Sequence, residues 1–192
     1  MMSPLESLKT NLLESIKAKE ALLADEVQCL LFEKAVQLVV DVYRKGGRLY
    51  IAGNGGSAAM ASHCAVDFTK NAKIRCVNFN EADLITCFAN DYGYESCFQK
   101  ALEFYADPGD VAVFISSSGK SPNILKAADY ARSKNFTVVT LSGFSADNPL
   151  ASKGEINLCV DSRAYNIIEM VHHVWLLTVC DLIIGKAEYP AS

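Results

Sequence analysis

The chain has 192 residues, of which 51% are hydrophobic and 21% charged, and its formal net charge at pH 7 is -4. This size and composition suit one globular α/β domain and leave little room for a second. The 18 Lys and Arg residues against 22 Asp and Glu residues argue against a general binder of nucleic acid or anionic membranes, which needs a basic face.

The seven cysteines indicate a reducing compartment. They are odd in number, lie mostly in apolar runs and include no C-x-x-C pair, so we expect reduced core thiols. The N-terminus has no apolar stretch with a cleavage site, and the last apolar run is interrupted by His172, His173 and Asp181. We therefore expect a cytoplasmic protein with neither a signal peptide nor a membrane span.

Two helices are predicted before the first strand, and together they form an N-terminal arm over residues 1–45. Ser3-Pro4-Leu5-Glu6 has the layout of a capping box, and apolar residues follow it at helical spacing. The second helix is predicted from Asp25 to Lys45, where Gly46-Gly47 supplies a left-handed stop.

From residue 46 onward, short apolar runs alternate with helical segments. The predicted strands cover residues 49–52, 74–79, 111–116, 137–141 and 156–160. The predicted helices cover residues 57–70, 81–89, 97–105, 122–133 and 165–185. Because each strand is apolar on both faces, we expect a mostly parallel five-stranded sheet covered by helices on both sides. The predicted fold class is α/β, with residues 1–192 as a single domain whose core spans 46–192.

A glycine-rich loop, Gly53-Asn54-Gly55-Gly56-Ser57, follows the first predicted strand. At the carboxyl end of a parallel strand, such a loop lets backbone amides approach an anion or a sugar oxygen. It is neither a Walker loop nor a dinucleotide fingerprint, since the required lysine and glycine spacing are missing. Taken alone, the loop equally suits an ordinary turn between a strand and a helix.

A serine-rich loop, Ser116-Ser117-Ser118-Gly119-Lys120-Ser121, follows the third predicted strand. Ser121 is predicted to cap the next helix, with Pro122 at its first position. Four hydroxyls and the amides of the helix's first turn can surround a phosphate monoester without an arginine cluster. Because a solvated turn needs only one or two such residues, the sequence predicts a phosphate site here.

The three histidines of the chain lie on two predicted helices. His63 and Asp67 are four residues apart on one helix, and Glu169 and His173 are four apart on the last, so each pair shares a helix face. Two such pairs meeting at a subunit boundary would supply two nitrogen and two oxygen ligands suited to zinc. Taken singly, each pair is more typical of an ordinary surface contact than of a metal site.

With these motifs, the chain resembles the sedoheptulose 7-phosphate isomerase (phosphoheptose isomerase) family of sugar isomerase (SIS) domains. The resemblance is carried by the glycine loop followed by His63, by Ala89-Asn90-Asp91-Tyr92-Gly93, by the serine loop, and by acidic and histidine residues on the last helix. It implies a flavodoxin-like five-stranded parallel sheet, a homotetramer with the active site between subunits, and often a zinc ion.

The resemblance implies an aldose-ketose isomerase that converts sedoheptulose 7-phosphate to D-glycero-D-manno-heptose 7-phosphate for surface-polysaccharide synthesis. The reaction passes through a cis-enediol and needs proton carriers, so we assign Asp67 as base and His173 as acid or metal ligand. The zinc ligands implied are His63, Asp67, Glu169 and His173. The expected substrate contacts are Asn54, Gly55, Gly56, Ser57, Asn90, Asp91 and Glu169 for the sugar, and Ser116, Ser117, Ser118 and Ser121 for the phosphate.

The chain departs from the family pattern at four positions. Asp67 stands where the family has a catalytic glutamate, and Glu169 where it has a glutamine. Leu177 replaces the family's last histidine, and Asn71 replaces an arginine. These departures leave open a non-catalytic SIS-domain protein that binds a protein partner such as a replication initiator. The retained His63 and Asp67 favour the enzyme.

Overall fold

The computed structural model describes residues 3–188 and begins with a helical arm. Helices α1 (Pro4–Ala24) and α2 (Glu26–Arg44) form this arm. The predicted capping box is present, because the Ser3 N–H donates to the Glu6 carboxylate at 2.8 Å and the Glu6 N–H donates to Ser3 Oγ at 3.2 Å. Gly46 follows α2 with a φ of +75° and provides the left-handed stop.

Five parallel strands in the order β2-β1-β3-β4-β5 form the centre of the fold. They are β1 (Leu49–Ala52), β2 (Cys76–Val77), β3 (Val111–Ser116), β4 (Thr137–Gly143) and β5 (Ile156–Val160). The predicted strand over residues 74–79 is thus too long: as an edge strand, β2 pairs only with the first two residues of β1. The strand order reverses between β1 and β3, which is where ligands bind in open parallel sheets.

Helices cover both faces of the sheet and bury two hydrophobic clusters. The helices that follow the arm are α3 (Gly56–Lys70), α4 (Ala82–Tyr92), α5 (Cys97–Tyr105), α6 (Pro122–Ser133) and α7 (Tyr165–Ile184), with a short 3₁₀ turn at Tyr94–Ser96. Helices α2, α3 and α7 pack on one face, and α5 and α6 pack on the other. The predicted five-stranded α/β fold is confirmed, and its loops converge at the carboxyl ends of β1 and β3.

Helix α7 is the one helix, within residues 3–188, that is long and apolar enough to cross a membrane by composition alone. Its buried side chains, among them Trp175 and Leu176, belong to the same cluster as residues of α2 and α3. Packing of this kind is typical of a core helix, and α7 packs as a core helix in this fold.

None of the seven cysteines forms a disulfide within residues 3–188, but they are not uniformly core residues. Cys64, Cys97 and Cys180 are buried, whereas Cys87 on α4 is exposed. Burial raises the pKa of the Cys64 thiol to about 12, so this group stays protonated and inert. The expectation of core thiols therefore holds for the buried cysteines and is wrong for Cys87.

Candidate active site

The glycine loop and the start of α6 are joined by a pair of asparagines. Asn54 Nδ2 donates to Asn123 Oδ1 at 2.9 Å, and Asn123 Nδ2 donates back to Asn54 Oδ1 at 2.9 Å. The Tyr94 hydroxyl adds a bond to Asn54 Oδ1, also at 2.9 Å. The Asn54 side chain is thus held by Asn123 and Tyr94, and its role as a sugar contact stays a prediction.

The serine loop contains a buried hydroxyl that lacks a partner within residues 3–188. Ser117 is 5% exposed, and its Oγ makes no hydrogen bond there. The hydroxyls of Ser116 and Ser121 lie 3.1 Å apart and bond each other. A buried polar atom without a partner is costly, so Ser117 Oγ is available for a ligand oxygen. The Ser116, Ser117 and Ser121 hydroxyls lie on one turn, which is what a phosphate cradle requires.

The predicted capping role of Ser121 is wrong, although its position is right. Ser121 precedes α6 with extended backbone angles and Pro122 begins the helix, but the Ser121 hydroxyl makes no capping bond because it pairs with Ser116. The Ser118 hydroxyl instead accepts the Lys120 N–H at 3.3 Å. The positive end of the α6 dipole therefore faces the serine loop without a serine hydroxyl capping it, which favours an anion.

The glycine loop leads directly into α3, with a carboxylate lying over its first residue. Gly55 adopts a φ of +54° before the helix, and a Cβ at Gly56 would collide with the carboxylate of Glu169. A carboxylate at a helix N-terminus is stabilised by the helix dipole. Ser57 in the first turn is buried. Glu169 thus lies at the glycine loop, and its contact with the substrate stays a prediction.

Three proton-carrying side chains of α3 and α7 face one another. His63 Nε2 lies 3.4 Å from Asp67 Oδ2, and the rings of His63 and His173 are 4.8 Å apart in an edge arrangement. Asp67 Oδ1 also accepts the Asn71 amide at 3.1 Å. Partial burial lowers the pKa of His173, and nearby His63 lowers it further, while Asp67 acts in the opposite direction. His173 is therefore neutral near pH 7 and able to accept a proton.

The four predicted zinc ligands are only partly brought together. His63, Asp67 and His173 lie side by side, whereas Glu169 lies over Gly56. Within residues 3–188, no three His, Cys, Asp or Glu side chains converge closely enough to hold a metal ion. The donor types suit zinc, and the buried Nε2 of His173, unpartnered within those residues, fits an additional ligand. The single chain supplies fitting donors without a finished metal site.

The two adjacent histidines of α7 have different environments. His173 lies next to His63, but His172 is fully buried, with its Nε2 2.9 Å from the Ser142 carbonyl. Burial lowers the pKa of His172 to about 4, so its ring is neutral and its Nε2–H donates to that carbonyl. His173 therefore belongs to the candidate site, and His172 belongs to the core behind it.

Two predicted sugar contacts make no hydrogen bond to the glycine or serine loop within residues 3–188. Asn90 and Asp91 are exposed at the end of α4, where the Asn90 amide donates to Asp91 at 2.9 Å. Their role as sugar contacts stays a prediction. Tyr94 reaches Asn54 instead, and Asn123 was also missed. The sequence offered one indication for each residue: Tyr94 directly follows the Ala89–Gly93 motif, and Asn123 follows the serine loop.

Comparisons with known proteins agree on one family. A family model for the SIS domain matches residues 10–143. The phosphoheptose isomerase of Geobacter sp. (strain M21) is 36% identical over 157 residues, covering 79% of this chain and 81% of that protein. The phosphoheptose isomerase of Aneurinibacillus thermoaerophilus is 32% identical over 182 residues, covering 92% and 91%.

Solved structures show the same similarity in three dimensions. A phosphoheptose isomerase structure from Neisseria gonorrhoeae has a TM-score of 0.88 at 28% identity and covers 95% of this chain and 100% of that one. A phosphoheptose isomerase structure from Francisella tularensis also has a TM-score of 0.88, at 25% identity, and covers 96% and 100%.

Proposed function

The chain belongs to the phosphoheptose isomerase family of SIS-domain proteins, and we propose that it converts sedoheptulose 7-phosphate to D-glycero-D-manno-heptose 7-phosphate. It is a phosphosugar isomerase. The observation that carries the proposal is the buried, unpartnered Ser117 hydroxyl in a loop that borders the asparagine pair of Asn54 and Asn123. A phosphate at the serine loop would place the sugar chain along the carboxyl edge of the sheet.

The phosphate is bound by the serine loop. Hydroxyls of Ser116, Ser117, Ser118 and Ser121 and the first amides of α6 donate to its oxygens, and the helix dipole adds a favourable field. The sugar hydroxyls are contacted by residues of the glycine loop and of α7, with further contacts from α4. These contacts are Asn54, Gly55, Gly56, Ser57, Asn90, Asp91 and Glu169.

Proton transfer is performed by Asp67 and His173. Asp67 takes a proton from C1 of the ketose, which produces the 1,2-enediol, and then returns a proton to C2. The C2 oxygen gains a proton while the C1 hydroxyl loses one, and neutral His173 carries this exchange between the two oxygens. Each proton carrier contributes about 10²- to 10⁴-fold to the rate. The lowered pKa of His173 keeps the ring neutral near pH 7, so one ring nitrogen is free to accept a proton that the charged ring then releases.

Zinc is part of the proposal as a cofactor. His63, Asp67 and His173 would hold the ion, and Glu169 is the fourth expected ligand. With zinc bound, His173 would serve as a ligand in place of its role as proton carrier. A bound zinc ion would act as a Lewis acid on a sugar oxygen. The adjacent imidazoles of His63 and His173, with the Asp67 carboxylate 3.4 Å from His63, support this assignment.

Assembly into a homotetramer is also part of the proposal. Helix α1 leaves a set of large apolar side chains 50–59% exposed. Surface of this kind is normally covered by a second copy of the chain. The set consists of Leu5, Leu8, Leu12, Leu13 and Ile16. A cytoplasmic enzyme with no nucleic-acid or membrane partner fits the net charge of -4 and cysteines that form no disulfide within residues 3–188.

The test is turnover by the purified protein. We expect sedoheptulose 7-phosphate to be converted to an aldose product visible by NMR, and elemental analysis of the same sample to find zinc. Conversion by a sample that contains no zinc would refute zinc as a cofactor and support the isomerase activity. Absence of conversion by a folded sample that contains zinc would refute the isomerase and favour the protein-binding alternative.

A further inference from the structure

A buried asparagine lies directly beneath the serine loop. Asn148 belongs to the segment between β4 and β5 and is 5% exposed. Its side chain approaches Gly119 so closely that a Cβ at Gly119 would collide with it. The Leu150 N–H donates to the Gly119 carbonyl at 3.1 Å, so a backbone bond joins the same two segments. The turn of the serine loop therefore rests on residues 148–150.

The Asn148 amide is held by bonds on both of its polar atoms. Its Nδ2 donates to Ser142 Oγ at 2.9 Å and to the Ser145 carbonyl at 2.7 Å. Its Oδ1 accepts the Ala151 N–H at 3.0 Å. Because an amide has two N–H donors, both are used, and the side chain has one orientation in which these bonds form. The surface offered to Gly119 is thus fixed.

The same bonds reach the helix that carries His173. Ser142, at the end of β4, accepts Asn148 on its hydroxyl and accepts His172 Nε2–H on its carbonyl at 2.9 Å. Ser142 Oγ also donates to Asn157 Oδ1 at 2.9 Å, which fixes its own orientation. Ser142 and His172 are both 0% exposed. One buried network therefore joins the serine loop to α7.

We propose that Asn148 is a positioning residue for phosphate binding, acting through Gly119, and that Ser142 and His172 keep α7 in register with the serine loop. This inference rests on the proposed function and deepens it. When a loop already has its binding conformation, none of the binding free energy is lost in ordering it. Small displacements of a binding loop reduce the gain from correct orientation. Loss of the Asn148 amide therefore weakens phosphate binding although Asn148 bonds no phosphate itself.

The test compares Asn148→Ala with a matched buried control. The Asp110 carboxylate is also buried and accepts two backbone N–H groups, from Arg48 at 2.7 Å and Asp107 at 2.9 Å. It lies just before β3, at the opposite end of the sheet from the serine loop. Asp110→Ala therefore removes comparable buried bonds without touching the loop's support. Both variants are measured for melting temperature, kcat, KM and the inhibition constant of inorganic phosphate.

We expect Asn148→Ala to raise KM and the phosphate inhibition constant together by about tenfold, with kcat changed about twofold or less. Asp110→Ala lowers the melting temperature and leaves both constants near the wild-type values. Ser142→Ala removes the hydroxyl but keeps the carbonyl that accepts from His172. It should therefore raise KM and the phosphate inhibition constant by a smaller factor, again with kcat nearly unchanged, and it tests the proposal even if Asn148→Ala fails to fold. An unchanged phosphate constant in a folded Asn148→Ala or Ser142→Ala protein, or an equal rise in Asp110→Ala, overturns the proposal.

Calorimetry with inorganic phosphate separates this inference from the proposed function. A wild-type protein that binds phosphate but isomerises no sugar refutes the function, and the Asn148 proposal is then decided by phosphate affinity alone. A wild-type protein that isomerises the sugar, with Asn148→Ala binding phosphate normally, refutes the positioning role alone.

Discussion

In the proposed function, phosphate recognition depends most directly on Ser117. Its neighbours Ser116 and Ser121 bond each other, whereas the buried Ser117 hydroxyl has no partner within residues 3–188. A bond from this hydroxyl to a phosphate oxygen therefore replaces no existing bond in the protein. Such a bond gains the full benefit of a charged acceptor in a buried site.

We expect Ser117→Ala to weaken binding of sedoheptulose 7-phosphate by about tenfold or more, since a bond to a charged group contributes about 1.5–3 kcal/mol. Isothermal titration calorimetry measures the change. Ser133→Ala is the control, because Ser133 is exposed at the far end of α6. Wild-type affinity in Ser117→Ala would place the phosphate elsewhere.

His172 links the stability of the fold to pH. Burial lowers its pKa from 6.5 to about 4, because the charged ring is desolvated. In the unfolded chain the same ring takes up a proton near pH 6.5, so the unfolded state binds more protons between pH 6.5 and 4. Stability is therefore fully present above pH 6.5 and falls as the pH decreases to about 4, by up to about 3 kcal/mol.

Replacing His172 by Gln is expected to flatten this pH dependence, since the amide can donate to the Ser142 carbonyl but does not titrate. Between pH 7 and 5, the wild-type free energy of unfolding should decrease by about 2 kcal/mol more than that of His172→Gln. Urea unfolding at the two pH values measures it. Equal slopes in wild type and His172→Gln would contradict the account.

The serine loop keeps its shape as an element because Gly119 occupies its turn. Gly119 has a φ of +64°, which disfavours a side chain, and the space where its Cβ would lie is filled by Asn148. Gly46 has a similar φ of +75° after α2, but its Cβ would meet open space. Comparing an alanine substitution at each glycine therefore separates the energetic cost of the backbone angle from that of the collision with Asn148.

We expect Gly46→Ala to lower the free energy of unfolding by about 1–2 kcal/mol, the usual cost of the left-handed angle. Gly119→Ala should lower it further and should also abolish most of the affinity for inorganic phosphate. Urea unfolding and calorimetry measure the two effects. If both substitutions destabilise the protein equally and Gly119→Ala keeps its phosphate affinity, the Asn148 side chain moves aside at little cost, which would contradict the account.

Helices and strands could be predicted from the sequence because each depends on local periodicity and capping. Helix α2 was predicted from Asp25 to Lys45 and spans Glu26–Arg44. The two loops could be placed at one edge because parallel strands end there together. Their connections could not be predicted: the Asn54–Asn123 pair and the contact of Asn148 with Gly119 join residues far apart in the chain, and packing alone brings them together.

At the scale of the whole molecule, the candidate site lies near surfaces that a single chain leaves uncovered. His63 is exposed, and α7 has exposed apolar residues such as Met170 and Leu182. Within residues 3–188, the expected zinc donors do not form a complete set. Exposed apolar side chains of this kind are expected where a neighbouring subunit packs.

We expect the purified protein to have the mass of a tetramer in light scattering at micromolar concentration. The double substitution of Leu8 and Leu12 by Lys should reduce that mass, because both side chains are more than half exposed on α1 and would carry charge into the interface. Lys9→Ala, on the same helix, is the control. A monomeric wild-type mass would contradict the assembly.

Solvent deuterium incorporation tests the central claim, proton transfer by Asp67 in a phosphosugar isomerase, most directly. In D₂O, an enediol mechanism predicts that the aldose formed from sedoheptulose 7-phosphate carries deuterium at C2, as seen by NMR. Asp67→Asn should slow both conversion and incorporation by about 10²- to 10⁴-fold. An aldose product without deuterium would exclude exchange of the transferred proton with solvent. Conversion by Asp67→Asn at the wild-type rate, or no conversion by the wild-type protein, would contradict the account.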